Sequence, residues 1–411
     1  MVLNLIALIP FSTFLFLFLK SRKKENHPGS ILIGLYLIGA MFAVFLDLDI
    51  ALPAHNKYKH DFAYFLLYSL ILSLFLIPAY KIKKVQSINE LRFFKKNSAI
   101  LNLLSLFSWF SFLYLTPFAL KSLVMSSLEV RLGLGSGDIS VLPKNIFTTI
   151  ATGIATFYPM FIFLFYVSYV QKRSFFITLS MFIGGFSYVI STFAFAGRDG
   201  IVFFTIILII FYKFFEKVID KKRILKYKKQ FYLLSILSFL LLLKISADRF
   251  DRNQGVYSTV HIGILGYGGM QAFIFNDFLD HFDNFNYGNN SYYVLKEFLG
   301  LKVGNTTEAI EPMEWQFGTF LTSFYKINGL ASMSLISLLF FTIFYGLIPK
   351  INSAKLPFRM IILGFYFQFM VTGFFYFRLG NPAGRKYMII LVLLFIFLII
   401  RYKGISKFKR L

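Results

Sequence analysis

Gly197-Arg198-Asp199-Gly200 stands between two long apolar runs with almost no chain to spare on either side. A guanidinium fixed in so short a turn stays charged and presents a planar fork of N–H donors, which suits bidentate contact with phosphate. Four more arginines occupy comparable places. Arg249 and Arg252 leave another apolar run three residues apart, so they share a face if that helix continues. Arg378 and Arg385 bracket Gly380-Asn381-Pro382-Ala383-Gly384 in a further short turn. One arginine at a helix end also serves as an interfacial anchor. For five of them, an anion site is the better reading. Proton transfer would need a base, and the candidates are fewer. His261 lies in a long polar segment with Glu308, Glu311 and Glu314 at three-residue spacing, and Asp199 adjoins Arg198. Asp47 and Asp49 form another carboxylate pair, while His55, His60 and His281 read as solvated. No His or acidic group has the spacing of a zinc motif, and there is no Cys, so thiol catalysis and Cys-ligated metals are excluded. The residues imply neither metal nor cofactor.

The elements that must hold these side chains are membrane helices. Of the 411 residues 57% are apolar and only 15% charged, against about 25% charged in soluble domains. Apolar runs near 3–19, 29–46, 62–80, 98–119, 146–170, 175–196, 200–215, 231–247, 327–348, 358–377 and 387–400 are long enough to cross a bilayer as helix. The expected fold is therefore an all-α polytopic integral membrane protein with about eleven transmembrane helices. Lys20, Arg22, Lys23 and Lys24 follow the first run directly and place its end in the cytoplasm, which puts the N-terminus outside and the C-terminus inside. Under this topology the cytoplasmic segments hold 28 of the 43 Lys and Arg with only Glu25, Glu90, Glu216 and Asp220. The net charge of +24 then sits wholly on the inner face. Topogenesis and anionic lipid account for it, so the basic composition is no sign of nucleic-acid binding.

The inner loops are short and lack a Walker-type glycine-rich loop, which argues against an ATP-driven pump and a cytosolic nucleotide-sugar enzyme. The chain divides into a first eight-helix part (1–247), a large exterior loop (248–318) and a last three-helix part with a basic tail (319–411). Within the loop, Met270, Phe273, Ile274, Phe275, Phe278, Leu279 and Phe282 recur at helical spacing, with Asn276, Asp277, Asp280, His281 and Asp283 between them. That pattern predicts an amphipathic helix lying on the outer membrane surface or capping a cavity.

Three features resemble the oligosaccharide repeat-unit polymerases that build O-antigen and capsular polysaccharide. They are Ala196-Gly197-Arg198-Asp199-Gly200 opening a span, the late exterior loop with its Arg pair and amphipathic helix, and a series of three short motifs leading into the ninth span. In that series, Gly304-Asn305-Thr306-Thr307 leads to Phe317-Gly318-Thr319-Phe320 and then to Phe324-Tyr325-Lys326-Ile327-Asn328-Gly329-Leu330. Asn328 stands where the family carries an acid before the glycine. The resemblance spans roughly residues 190–390. It implies a fold related to the GT-C-like membrane glycosyltransferases and a place in a bacterial inner membrane with the active site facing the periplasm. It also implies undecaprenyl-diphosphate-linked oligosaccharides as substrates, with a flippase and a chain-length regulator as partners. The glycan would leave its carrier diphosphate for a sugar hydroxyl of another lipid-linked unit. Arg198, Arg249, Arg252, Arg378 and Arg385 would then meet the diphosphate, with His261, Glu314 or Asp199 acting on the proton. An O-antigen ligase would use the same arginines with a more decisive histidine, and a polyprenyl-phosphate-sugar transferase would rely on Asp47 and Asp49. A flippase or transporter would instead show mid-span charges or paired broken helices.

Overall fold

The computed structural model describes residues 4–22, 27–48, 60–91, 98–124, 142–143, 145–195, 197–220, 236, 265–281, 318–352, 356–376 and 382–408. Regular structure among them is helical apart from a single bridge between Thr319 and Tyr376. The helices are α1 (Leu8–Arg22), α2 (Pro28–Phe45), α3 (Phe62–Leu76), α4 (Ser98–Val124), α5 (Ile146–Thr156) and α6 (Tyr158–Val170). They continue as α7 (Phe175–Ala194), α8 (Asp199–Phe215), α9 (Gln271–His281), α10 (Thr319–Asn352), α11 (Leu356–Gly373) and α12 (Pro382–Phe408). Among the described residues six helices are long and apolar enough to cross a membrane, seven if the bent pair α5–α6 counts as one crossing. The chain is a polytopic membrane protein. The expected span at 231–247 lies outside the described residues.

Contacts divide the chain into two compact units, each built from distant stretches. The first takes residues 1–82, 256–353 and 368–411, the second 83–255 and 354–367.

In the first unit α1 and α2 form a hairpin whose ends are tied by polar bonds. Asn4 donates its backbone N–H to Val44 O at 3.0 Å and its Nδ2 to Ala43 O at 3.2 Å. At the opposite end Gly29 lies so close to Ala79 that a Cβ would overlap the alanine's carbonyl. The Tyr80 hydroxyl bonds Leu17 O there, and Asn352 Nδ2 donates to Lys81 O at 2.7 Å. The helix ends carrying Lys20, Arg22, Lys81 and Lys350 therefore meet at one end of the unit. Inside, Phe75, Phe320, Phe324, Phe340 and Phe369 form a cluster in which Phe75 lies 4.6 Å from both Phe320 and Phe340 between ring centres. Helix α10 is interrupted at Asn328 and Gly329, where Gly329 has φ of 57°, a conformation that favours glycine. Ser332 Oγ bridges the break, accepting from Asn328 N–H at 2.9 Å and lying 2.7 Å from Phe324 O. The freed backbone groups thus find partners inside the protein, as they must in lipid.

The second unit is built around α7, which touches α4, α5, α6 and α8. Gly184 and Gly185 make this possible. A Cβ on Gly184 would lie 2.6 Å from the Phe161 ring, and one on Gly185 3.0 Å from Ile162. Small residues let membrane helices approach closely enough for dispersion to hold them. Phe163 packs on Phe211, Phe214 and Phe215, and Tyr158 stacks on Tyr188 at 4.2 Å. The apolar run at 146–170 reads as one span, but the helix bends by 58° at Phe157. Pro159, two residues on, lacks an N–H and crowds the preceding turn, which explains the bend. Near the end of α8, Glu216 accepts from Lys84 at 2.8 Å and Lys213 at 2.9 Å. The Lys84 hydrogen bond leads in holding its carboxyl below the ordinary carboxylate range, against the effect of partial burial.

Candidate functional site

The Arg198 turn belongs to the second unit. Helix α7 stops at Ala194, where Thr192 O accepts from Phe195 N–H at 3.1 Å and Gly197 N–H at 2.8 Å. Ser122 Oγ reaches across from α4 to Ala194 O at 2.6 Å and anchors the end of α7. The Thr192 hydroxyl bonds Val189 O, which fixes its side chain against Gly200. A Cβ on Gly200 would fall within the Thr192 side chain, so only glycine lets α8 start so close to α7. Arg198 is the N-cap residue of α8 and Asp199 its first residue, and both are half-buried. Arg198 Nη2 is buried within the protein. An arginine serving only as a surface anchor would extend its tip outward. Asp199 places a carboxylate in the first turn of α8, where the helix dipole favours negative charge. The turn therefore sets an arginine with a buried guanidinium nitrogen next in sequence to a carboxylate at the start of α8.

The other expected residues are not brought into view with it. Arg249, Arg252, His261, Glu314 and Arg378 lie outside the described residues, as does Asp49, and Arg385 is described only as part of the α12 backbone. Asp47 follows α2 and is half-buried.

The first unit holds a polar group that the sequence places elsewhere. The expected surface helix forms, as α9, but it does not lie on the surface. Residues 269–279 are all buried, including Asn276 at 0% and Asp277 at 1% exposure. The segment enters the unit because Gly268 and Gly269 allow it. Gly269 abuts the backbone of Phe42 and Ala43, with a would-be Cβ 2.6 Å from Ala43 N. Phe275 packs on Tyr68 at 5.3 Å, and Tyr68 lies six residues, about 9 Å, into α3. With Gln271 and Ala272 the segment also closes a small crevice lined by Phe14, Tyr36 and Phe374, closer to the cavity-capping alternative. Its buried polar side chains Asn276 and Asp277 meet partners within the protein. Asn276 Oδ1 accepts from Asp61 N–H at 2.8 Å, and its Nδ2 donates to Asp277 Oδ1 at 3.3 Å. His60 Nδ1 lies 3.9 Å from that same Asp277 oxygen, and its ring meets Phe273 edge-on at 5.0 Å. Helical spacing alone carries no signal for this pairing. The glycine pair ahead of an apolar helix was the available hint.

Among the described residues no three His, Asp or Glu side chains gather in a way that could hold a metal ion. No protein-family model matches the chain, and neither a curated protein nor a solved structure does.

Proposed function

We propose that the protein is a glycosyltransferase of the repeat-unit polymerase kind, joining undecaprenyl-diphosphate-linked oligosaccharides at the outer face of a bacterial inner membrane. The observation that carries this reading is Arg198, half-buried with Nη2 inside the protein at the start of α8. Carrier diphosphate departs as the new glycosidic bond forms, and a preorganised guanidinium stabilises that departing charge best in a low-dielectric site. Asp199 adds a carboxylate at the same turn. The arginines at 249, 252, 378 and 385 remain further candidate diphosphate ligands, and His261 and Glu314 candidate bases. Purified protein supplied with lipid-linked repeat units should convert them to polymer, and should go on doing so in excess chelator. Loss of polymer restored by magnesium or manganese would instead point to Asp47 and Asp49. Transfer to a lipid A core with no polymer formed would favour the ligase reading.

The same proposal fixes the topology at eleven crossings, with the N-terminus outside and residues 248–318 on the exterior. The gathering of Lys20, Arg22, Lys81 and Lys350 at one end of the first unit supports it, as that end would face the cytoplasm. Reporter domains fused after Lys222 and after Asn289 should report cytoplasm and exterior respectively. A cytoplasmic Asn289 would put the proposed chemistry on the wrong side of the membrane.

A further inference from the structure

Helix α7 is long and apolar enough to cross a membrane, and its 20 residues span about 30 Å, the thickness of the hydrocarbon core. One end, at Ala194, leads into the Arg198 turn. The other, at Phe175, emerges where the segment 83–91 crosses the second unit. That segment is bound down along its length. Val85 N–H donates to Phe214 O at 3.0 Å, Lys84 Nζ to Glu216 Oε2 at 2.8 Å and Lys217 Nζ to Gln86 Oε1 at 3.0 Å. Farther along, Leu91 O accepts from Gln171 Nε2 in the turn between α6 and α7. Val85 and Leu91 are wholly buried, which seats the segment on the unit. Among the described side chains, this end sets Lys83, Lys84, Lys172, Arg173, Lys213 and Lys217 against Glu216 and Asp220. Beside these cations Ile88, Phe175 and Phe176 are 55%, 75% and 59% exposed.

We propose that this end of the second unit docks anionic phospholipid. Lys83, Lys172 and Lys217, all exposed, meet the headgroup phosphates, while acyl chains cover Ile88, Phe175 and Phe176. Charge complementarity selects this occupant, since a leaflet of anionic lipid offers phosphate directly above hydrocarbon. Lys217 gives an N–H to a neutral amide, a bond that leaves its charge uncompensated. Lys84 and Lys213 share the Glu216 carboxylate, so that trio keeps one positive charge in excess. Topogenesis also favours cations on one side of a membrane, but it acts while the chain inserts. It does not require them to be tied to a packed segment. Docked lipid would fasten the segment 83–91 from outside, as its hydrogen bonds fasten it from within. Under the proposed topology this is the cytoplasmic leaflet. The inference stands apart from the transferase reading and needs only that α7 crosses the bilayer.

The chain has no cysteine, so Ser87→Cys can carry an environment-sensitive fluorophore at an exposed position next to Ile88. Full-length protein in uncharged maltoside detergent is titrated with short-chain phosphatidylglycerol, with phosphatidylcholine of the same chain length, or with inorganic phosphate. Phosphatidylglycerol should shift the emission to the blue and saturate, and the other two should not. Lys83→Gln combined with Lys217→Gln should raise the half-saturating concentration at least about fivefold, the factor one cation contributes at an anionic lipid surface. Lys121→Gln, beside Ser122 at the Arg198 end of the unit, should leave it unchanged. An equal response to phosphatidylcholine, or no response to either lipid, would overturn the proposal. Saturation by phosphate alone would assign the lysines to a free anion and overturn it too. Unchanged half-saturation in the double variant would remove Lys83 and Lys217 from the docking surface. If that variant does not fold, the choice of the wild-type lysines between the two lipids decides the matter.

Discussion

Replacing Arg198 with lysine should leave the protein in the membrane at normal abundance, yet strip most polymer from the cell surface and leave single repeat units on the carrier lipid. Lysine keeps the charge and loses the planar fork, so the variant separates two roles that alanine would merge. An arginine needed only for topology or interfacial anchoring tolerates lysine, because charge alone matters there. Arg198 is held differently. Its backbone is fixed between Gly197 and Gly200 against Thr192, and its Nη2 is buried. An ammonium on a flexible stem cannot occupy both donor positions from that anchor. Losing one charge-assisted hydrogen bond costs about 1.5–3 kcal/mol, which is roughly 10- to 150-fold in rate if the bond forms in the transition state. Expression and insertion should be unchanged, since the exchange keeps the charge and leaves Gly200, whose packing on Thr192 seats the start of α8, in place. Surface polysaccharide at wild-type length and amount in Arg198→Lys would remove Arg198 from the diphosphate site.

How far the fold can be read from the chain depends on what the pattern of apolar residues encodes. Helices occupy the expected ranges from residue 5 to residue 215 because an uninterrupted apolar run of that length has one stable form in lipid. Breaks are less visible. Pro159 is the only mark of the bend between α5 and α6, and proline inside a span is tolerated elsewhere, as Pro117 is within α4. The ninth apolar run starts at 327, yet α10 starts at Thr319 with its break at Asn328 and Gly329. Polar Lys326 and Asn328 hid that first segment. Residues 271–281 show the limit most clearly. Periodicity assigns their helix and their two faces, but it cannot say what covers each face. Here Asp61 and His60 cover the polar side, from more than two hundred residues away in sequence. Arg198 was legible because two apolar runs and two glycines leave its turn little freedom. Arg249, Arg252 and Arg378 lie outside the described residues.

Gly269→Val should expel the segment 265–281 from the first unit, and the absence of cysteine in the chain makes the event easy to follow. The glycine meets backbone: a Cβ would lie 2.6 Å from both Ala43 N and Phe42 C, atoms held within α2. A flexible side chain could swing away from an added methyl, but a helical backbone cannot. Valine adds two further methyls to that overlap, so strain well beyond the usual 1–3 kcal/mol of an overpacked core is expected. The opposing force is large too. Met270, Phe273, Phe275 and Phe278 are all at most 7% exposed, and burying each contributes about 1.5–3 kcal/mol. Strain at Gly269 falls at the entry of the segment, so relief requires withdrawing the residues that follow it. A single cysteine placed at Ala272, 4% exposed beside the crevice, should resist a membrane-impermeant maleimide in the parent protein. Adding Gly269→Val should raise its labelling rate at least about tenfold, the change expected when about 1.4 kcal/mol of protection is lost. Cysteine at Asp280, which is exposed at the end of α9, should label in both backgrounds when reagent is added from outside. Continued protection at position 272 in Gly269→Val would mean that α2 yields to the new side chain, and that the glycine is not what admits the segment.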